Sequence, residues 1–202
     1  MLRILAGTYR SRVLATPTGE DRTRPMTSRA RESVFDLLRG WFDGTNVLDL
    51  YAGVGTMGLE AVSRGAARVV MVERDRLVYR HLQANVAALG CEDRCTTILG
   101  DALGATALAA APAPCSIAFL DPPYEAMRST PTRDRVFRQA GKLLSVMAPK
   151  SFMVLRTPER PDAHYSLPGF DGPEVHRYGE DMHVLLYAPS APAPAPSAGT
   201  PA

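Results

Sequence analysis

At 202 residues, 46% hydrophobic and 22% charged, the chain has the composition of one globular domain that can bury a core without disulfides or a structural metal. Three cysteines, Cys91, Cys95 and Cys115, are an odd number without the companion Cys or His of a zinc site, no apolar run reaches membrane-spanning length, and Met1-Leu2-Arg3-Ile4 does not begin a cleavable leader; no metal, no membrane and a cytoplasmic location are expected. The formal net charge is only +2, yet residues 1–31 hold seven arginines against Glu20 and Asp21, a surplus of five that leaves the rest of the chain three negative, the footprint of an arm for polyanions.

In chain order, residues 3–16 read as two short strand-like runs around a polar centre and predict an amino-terminal hairpin, ended by Pro17 and Gly19. After Pro25, Thr27 or Ser28 can cap a helix carrying Ala30, Val34, Leu37, Leu38 and Trp41 at helical spacing. Strand and helix then alternate. Asn46–Leu50, Arg68–Glu73, Thr96–Leu99, Ser116–Leu120 and Ser151–Leu155 read as strands. Thr56–Ser63, Asp75–Leu89, the Ala-rich segment 102–111 and Arg133–Met147 read as helices. Val175–Tyr178 and His183–Tyr187 predict a closing hairpin, and Ala188–Ala202 is an Ala/Pro/Ser tail without enough apolar surface to order itself. The pattern predicts an α/β fold, a doubly wound, mostly parallel sheet ending in an antiparallel hairpin. The expected divisions are a hairpin extension over 1–23, a catalytic domain over 24–187 and a disordered tail over 188–202.

Asp121-Pro122-Pro123-Tyr124 follows the apolar run Ile117–Leu120 and so falls at the carboxyl end of a buried strand, where open α/β sheets place their chemistry. The Asp carboxylate and the Asp and Pro carbonyls accept hydrogen bonds, while the two prolines have no N–H to donate. Such a loop suits an amino group, and Tyr124 adds a flat face for a base. A stiff turn with a nearby aromatic is the plainer reading of the same four residues.

Upstream, Asp49-Leu50-Tyr51-Ala52-Gly53-Val54-Gly55-Thr56-Met57-Gly58 places three glycines in G-x-G-x-x-G order between a strand and a helix. Alone this would equally serve a dinucleotide. Glu73, ending the second strand, can accept from ribose hydroxyls of any adenosine cofactor. Asp49 precedes the glycines, where a carboxylate would repel a pyrophosphate and attract the ammonium of S-adenosylmethionine (AdoMet). Asp101, beside Ala102 at the end of the third strand, is placed for an adenine amino group. The candidate cofactor residues are thus Asp49, Tyr51, Ala52, Gly53, Gly55, Glu73, Arg74, Asp101 and Ala102. A helix cap or a solvated acid would explain each carboxylate singly.

Taken together, these motifs resemble the Rossmann-like AdoMet-dependent methyltransferases, and the tetrapeptide resembles the members that methylate exocyclic amines. More narrowly, Arg24-Pro25-Met26-Thr27-Ser28-Arg29-Ala30-Arg31-Glu32-Ser33-Val34-Phe35 and Gly58-Leu59-Glu60-Ala61-Val62-Ser63-Arg64-Gly65-Ala66 are similar to the bacterial RsmD family, over roughly Arg3 to Tyr187. That resemblance implies transfer of a methyl group to N2 of a guanine in 16S ribosomal RNA, within the small ribosomal subunit or an assembly intermediate, by a monomer. It assigns the chemistry to Asp121, Pro122, Pro123 and Tyr124, and it implies that Thr27 and Arg31 close over the methionine end of AdoMet. Arg3, Arg10, Arg12, Arg24, Arg29 and Arg31 are the candidate RNA-phosphate contacts. Val54 stands where relatives have a small polar residue, Met26 where they often have Thr, and Tyr178-Gly179-Glu180 where an Asp commonly follows the Gly. An adenine-N6 methyltransferase of DNA or RNA, a nicotinamide-dependent oxidoreductase and a non-catalytic RNA-binding module are the competing readings.

Overall fold

The alternation of strand and helix builds a layered α/β structure. It is a computed structural model and describes residues 2–17, 26–162 and 165–191. The strands are β1 (Asn46–Leu50), β2 (Arg68–Glu73), β3 (Cys95–Leu99), β4 (Cys115–Leu120), β5 (Met147–Thr157), β6 (Phe170–Arg177) and β7 (His183–Pro189). They form one seven-stranded sheet in the order β3-β2-β1-β4-β5-β7-β6. β1 to β5 are parallel to one another, and β7 runs antiparallel to both β5 and β6. This is the doubly wound sheet with a closing hairpin that the sequence pattern implies.

The helices are α1 (Ser28–Leu37), α2 (Thr56–Ser63), α3 (Arg76–Leu89), α4 (Ala105–Ala109), α5 (Tyr124–Arg128) and α6 (Thr130–Lys142), with a 3-10 turn at Leu143–Ser145. Alternation along each strand feeds two cores. Val47, Phe119 and Val154 pack with Phe35, Leu59 and Leu82 on one face, and Leu48, Ala118 and Leu155 with Met127, Val136 and Leu143 on the other. Each such side chain taken fully out of water stabilises the fold by about 1.5–3 kcal/mol, which is why the central strands read as continuous apolar runs.

Several boundaries differ from the expectation. Helix α1 stops at Leu37, which is 41% exposed, and Trp41 instead packs edge-on against Phe152 at 4.8 Å from the following turn. The Ala-rich segment yields only Ala105–Ala109, since Pro112 and Pro114 cannot continue a helix. A short helix that periodicity did not reveal, α5, begins at Tyr124, with Pro123 at its N-cap. Strand β7 runs to Pro189, with Ala188 and Pro189 opposite Asp171 and Phe170, so sheet pairing orders the first two residues of the expected tail.

The amino-terminal hairpin forms a short antiparallel pairing around the Arg3–Val13 bridge, with Ile4 N donating to Arg12 O and Leu14 N to Leu2 O, both at 3.0 Å, and further backbone groups of the segment bond to the body. The buried Glu60 carboxylate accepts from Leu5 N at 2.6 Å and Ala6 N at 3.0 Å. Ser63 Oγ accepts from Tyr9 N at 2.9 Å, and the Asn85 side chain closes a two-way pair with Ala15. Ile4 and Leu14 are buried in the core beneath. Gly19, Arg24 and the tail from residue 192 lie outside the described residues. Among the described residues, no helix is long and apolar enough to cross a membrane.

Strand β1 lies between β2 and β4, so the chain leaves β1 toward one edge of the sheet and leaves β4 toward the other. The loops after these two strands diverge, and the crevice between them is where doubly wound sheets bind ligands.

Candidate active site

The loop after β1 is shaped by backbone conformations that few side chains tolerate. Gly53 and Gly55 have φ of 58° and 94°, and Tyr51, not a glycine, also sits at a positive φ of 70°. A Cβ at Gly55 would lie 2.7 Å from Leu82 Cδ1, whereas at Gly53 it would meet nothing within 4 Å. Gly55 is held to glycine by its left-handed backbone, with Leu82 and Leu59 crowding the position as well, and Gly53 faces open space that a ligand can approach. Gly58, on α2, leaves room for Met71 and the Asp49 carboxylate, whose Oδ2 would be 3.2 Å from an added Cβ.

Three carboxylates converge on this loop. Asp49 is 1% exposed and accepts from Gly58 N through Oδ2 at 2.9 Å, while its Oδ1 is buried without a hydrogen-bond partner. Burial pushes the Asp49 carboxyl up to about 8, the Gly58 N–H opposes this, and the negative charges of Asp121 and Glu73 add to the rise. Glu73 accepts from Gly53 N at 2.9 Å and from Asp75 N at 2.7 Å. A carboxylate has about four acceptor sites, so capacity for ribose hydroxyls is left. Asp101 accepts from Leu103 N at 2.9 Å and lies 3.6 Å from Arg135 Nη2.

The second loop completes the crevice. A cleft of about 280 Å³ is lined by Tyr51, Arg74, Asp101 and Leu103 from the β1 to β3 side and by Pro123, Ala126 and Arg135 from beyond β4. Residues expected to hold a cofactor and Pro123 of the Asp-Pro-Pro-Tyr loop thus share one cavity. Asp121 is held by an ion pair with Arg156 Nε, and the Arg156 guanidinium lies 4.9 Å from the centre of the Tyr124 ring. Burial raises the Asp121 carboxyl, and the charge and hydrogen bond of Arg156 oppose the rise.

Sequence reasoning missed three supporting residues. Arg156 looks like an interruption of an apolar strand and is recognised only through its register beside Asp121. Buried Asn85 donates from Nδ2 to Val54 O at 2.9 Å as well as to Ala15 O, tying the glycine loop to the amino-terminal segment. Buried Gln139 donates to Ala102 O at 3.0 Å and fixes the end of β3. Neither amide carries a motif. Its neighbours in space could not be read from its neighbours in sequence.

Thr27 is the N-cap of α1, with Oγ1 accepting from Ala30 N at 3.2 Å. Arg3, Arg10, Arg12 and Arg29 are exposed, with Arg3 donating to Ser11 O and Arg12 to Ala88 O. Arg31 departs from the expectation of a phosphate-facing side chain. It is 1% exposed and donates to Arg3 O at 2.5 Å, because the amino-terminal segment packs over the face of α1 that carries it. Burial lowers its pKa. Arg94, absent from the expected set, donates to Tyr9 OH at 2.8 Å and stacks over that ring.

The sheet order, the crevice at its switch point and the paired acceptor loops define a Rossmann-like methyltransferase fold. The chain belongs to the family described as Conserved hypothetical protein 95, which matches residues 2–187 and is the RsmD family that the motifs resemble. Ribosomal RNA small subunit methyltransferase D of Escherichia coli (strain K12) is 37% identical over 123 residues, 61% of this chain and 60% of that protein. The match therefore spans under two thirds of that relative's length. The structure of yhhF from Escherichia coli superposes with a TM-score of 0.77 at 28% identity, covering 95% of this chain and 99% of that one. An RNA methyltransferase from Salinibacter ruber in complex with S-adenosyl-L-homocysteine shares the fold, with a TM-score of 0.59 at 19% identity over 85% of this chain and 98% of the other.

Proposed function

We propose that this protein transfers a methyl group from AdoMet to the exocyclic N2 amine of a guanine in 16S ribosomal RNA. The observation that carries the reading is that Asp121-Pro122-Pro123-Tyr124 and the glycine loop leave the paired strands β4 and β1 side by side, with Pro123 lining one cleft together with Tyr51, Arg74 and Asp101. The name of a related protein, which specifies ribosomal RNA small-subunit methylation, supports the substrate class.

The residues present fit AdoMet. Asp49 Oδ1, buried and unpartnered, is an acceptor for the cofactor's ammonium; Glu73 has acceptor capacity for the ribose; Asp101 is placed for the adenine amine; and Gly53 leaves space for close backbone approach. Tyr51, Ala52, Gly55, Arg74 and Ala102 frame these contacts, and Thr27 with Arg31 is assigned to the methionine end by resemblance. When bound, AdoMet supplies a methyl group on a sulfonium.

The chain's own groups prepare the attacking nitrogen. The guanine amine has its lone pair delocalised into the ring, so hydrogen bonds from the amine to the Asp121 carboxylate and the Pro122 carbonyl orient it and favour the positive charge that develops. Pro122 and Pro123 have fixed φ values, so these acceptors need little reorganisation. Asp121 takes the released proton, directly or through water. Tyr124 stacks on a base that has been taken out of its neighbours. Arg3, Arg10, Arg12 and Arg29, with Arg24, contact RNA phosphates, which position the substrate without specifying it.

In this reading residues 1–23 serve the RNA, 24–187 the chemistry, and the protein acts as a cytoplasmic monomer on the small subunit or an assembly intermediate. The test is to offer labelled AdoMet with undermethylated small subunits, free 16S RNA and DNA, and to map the modified base. Label on a guanine N2 of 16S RNA is the expected result. Label confined to DNA, or found on an adenine N6, overturns the guanine assignment, and no AdoMet binding overturns the methyltransferase reading.

A further inference from the structure

We propose that Arg156 is a positioning residue for methyl transfer, holding the Asp121 carboxylate and the Tyr124 ring in the arrangement that receives the base. The proposal rests on the function proposed above and adds to it a residue that neither motif contains.

Strand β5 is buried over Met153, Val154 and Leu155, and an arginine next in line must be paired or costs much to bury. Its partner follows from register. Leu120 of β4 stands opposite Leu155 of β5 and Phe119 opposite Val154, so one residue further on Asp121 and Arg156 are lateral neighbours. With side chains alternating in direction along both strands, Asp121 shares a face with Phe119 and Arg156 with Val154, the same face of the sheet. Both side chains are shielded, 6% exposed for Arg156 and 19% for Asp121.

The prolines restrain the loop backbone but not the side chains on either side of them. Those are the Asp121 carboxylate and the Tyr124 ring, and one guanidinium touches both, by ion pair and by stacking. Its planar fork is suited to carboxylate and aromatic face at once, where an ammonium offers only a point charge. Tyr124 is half-buried, with the Arg156 guanidinium against its ring. The cation also opposes the effect of burial on Asp121. Arg156 from β5 is the cation that acts on Asp121, Asp49 from β1 is a neighbouring acid, and Tyr124 from α5 shares the Arg156 guanidinium. Without Arg156, the carboxylate would lose the cation that opposes the effect of its burial.

The test compares wild type, R156Q, R156K and D121N for AdoMet affinity and for single-turnover methylation of RNA across pH. R156Q is expected to bind AdoMet as wild type does, to lose about 100-fold in rate, the scale of an ångström-sized misplacement, and to have the acidic limb of its pH–rate profile moved up by about one unit or more. R156K keeps the charge, so its acidic limb stays while its rate falls at least about tenfold, on the same misplacement argument. R156K carries the test alone if R156Q does not fold. An R156K variant with wild-type rate, or an R156Q variant with wild-type rate and limb, overturns the proposal. D121N and the base mapping separate the two levels: full turnover in D121N removes the carboxylate mechanism on which the role of Arg156 rests, label found only on DNA removes the proposed function, and an inactive D121N beside a normal R156Q removes only the role of Arg156.

Discussion

The Glu73 carboxylate accepts a hydrogen bond from the Gly53 amide at 2.9 Å, so the end of β2 and the glycine loop form one unit before a ligand arrives. Since Glu73 also accepts from Asp75 N at the N-cap of α3, it ties the glycine loop to the start of α3, the two walls of the proposed nucleoside site. Replacing it removes an acceptor for ribose and loosens the loop together. Glu73→Ala is expected to weaken AdoMet binding by about 1.5–3 kcal/mol, the range for hydrogen bonds to a charged group, and titration calorimetry measures it. Unchanged affinity would remove Glu73 from the cofactor site.

Asp49 links the cofactor site to pH. Burial raises its carboxyl in the folded chain from 3.8 to about 8. Between those values the unfolded chain holds fewer protons than the folded one, so the contribution to stability is complete below about pH 4 and is lost as pH rises toward 8. Asp49→Asn is neutral throughout and can still accept from Gly58 N. Its melting temperature is expected to approach that of wild type at pH 4 and to exceed it at pH 8, with a stability difference growing by up to about 1.4 kcal/mol per pH unit. The same variant should bind AdoMet more weakly, because an amide does not neutralise an ammonium. A pH-independent difference in melting would contradict a buried, proton-carrying Asp49.

Asp121→Ala separates binding from chemistry. The carboxylate belongs to the loop after β4, whereas the proposed ribose and ammonium acceptors, Glu73 and Asp49, lie on β2 and β1. The variant is expected to bind AdoMet within a few-fold of wild type and to lose about 10²–10⁴-fold in turnover, the usual worth of a positioned acid–base group. Binding measured by calorimetry and turnover by label incorporation decide it; normal turnover would sink the assignment.

Arg10 and Arg12 lie exposed in the amino-terminal segment, which Glu60, Ser63 and Asn85 fasten to the body. A double Arg→Ala change there should weaken RNA binding with little effect on AdoMet binding. It should also flatten the dependence of log affinity on log salt by about 0.7 for each single-strand phosphate that is no longer neutralised. Filter binding or fluorescence anisotropy over a salt series measures both, and an unchanged slope would exclude this segment as the RNA grip.

Much of the fold was legible because it repeats. Strands buried on both faces are continuous apolar runs, helices between them show one apolar face, and turn residues separate the two. Boundaries were less legible where tertiary contacts compete with local pattern. Residues 3–16 pair as a hairpin across Ile4–Arg12 and Leu2–Leu14, yet the pairing stops at the single Arg3–Val13 bridge, because the Leu5, Ala6, Tyr9 and Ala15 N–H groups donate to Glu60, Ser63 and Asn85 of the body. Leu37 keeps helical spacing but faces solvent, and Trp41 reaches its partner Phe152 from a turn.

The sequence by itself determined the chemistry available: which acids end which strands, where a backbone can turn through glycine, and that two prolines leave acceptors without donors. These are local properties, set by side-chain type and by spacing along one element. Only the tertiary structure decided which groups share an environment. It buried Arg31 under the segment it was expected to arm, left Asp49 Oδ1 without a partner, and set Arg156 beside Asp121 through the pairing of β4 with β5. Burial and charge proximity depend on contacts between distant stretches of chain, and they are what fix the protonation of a carboxylate and the orientation of a ring.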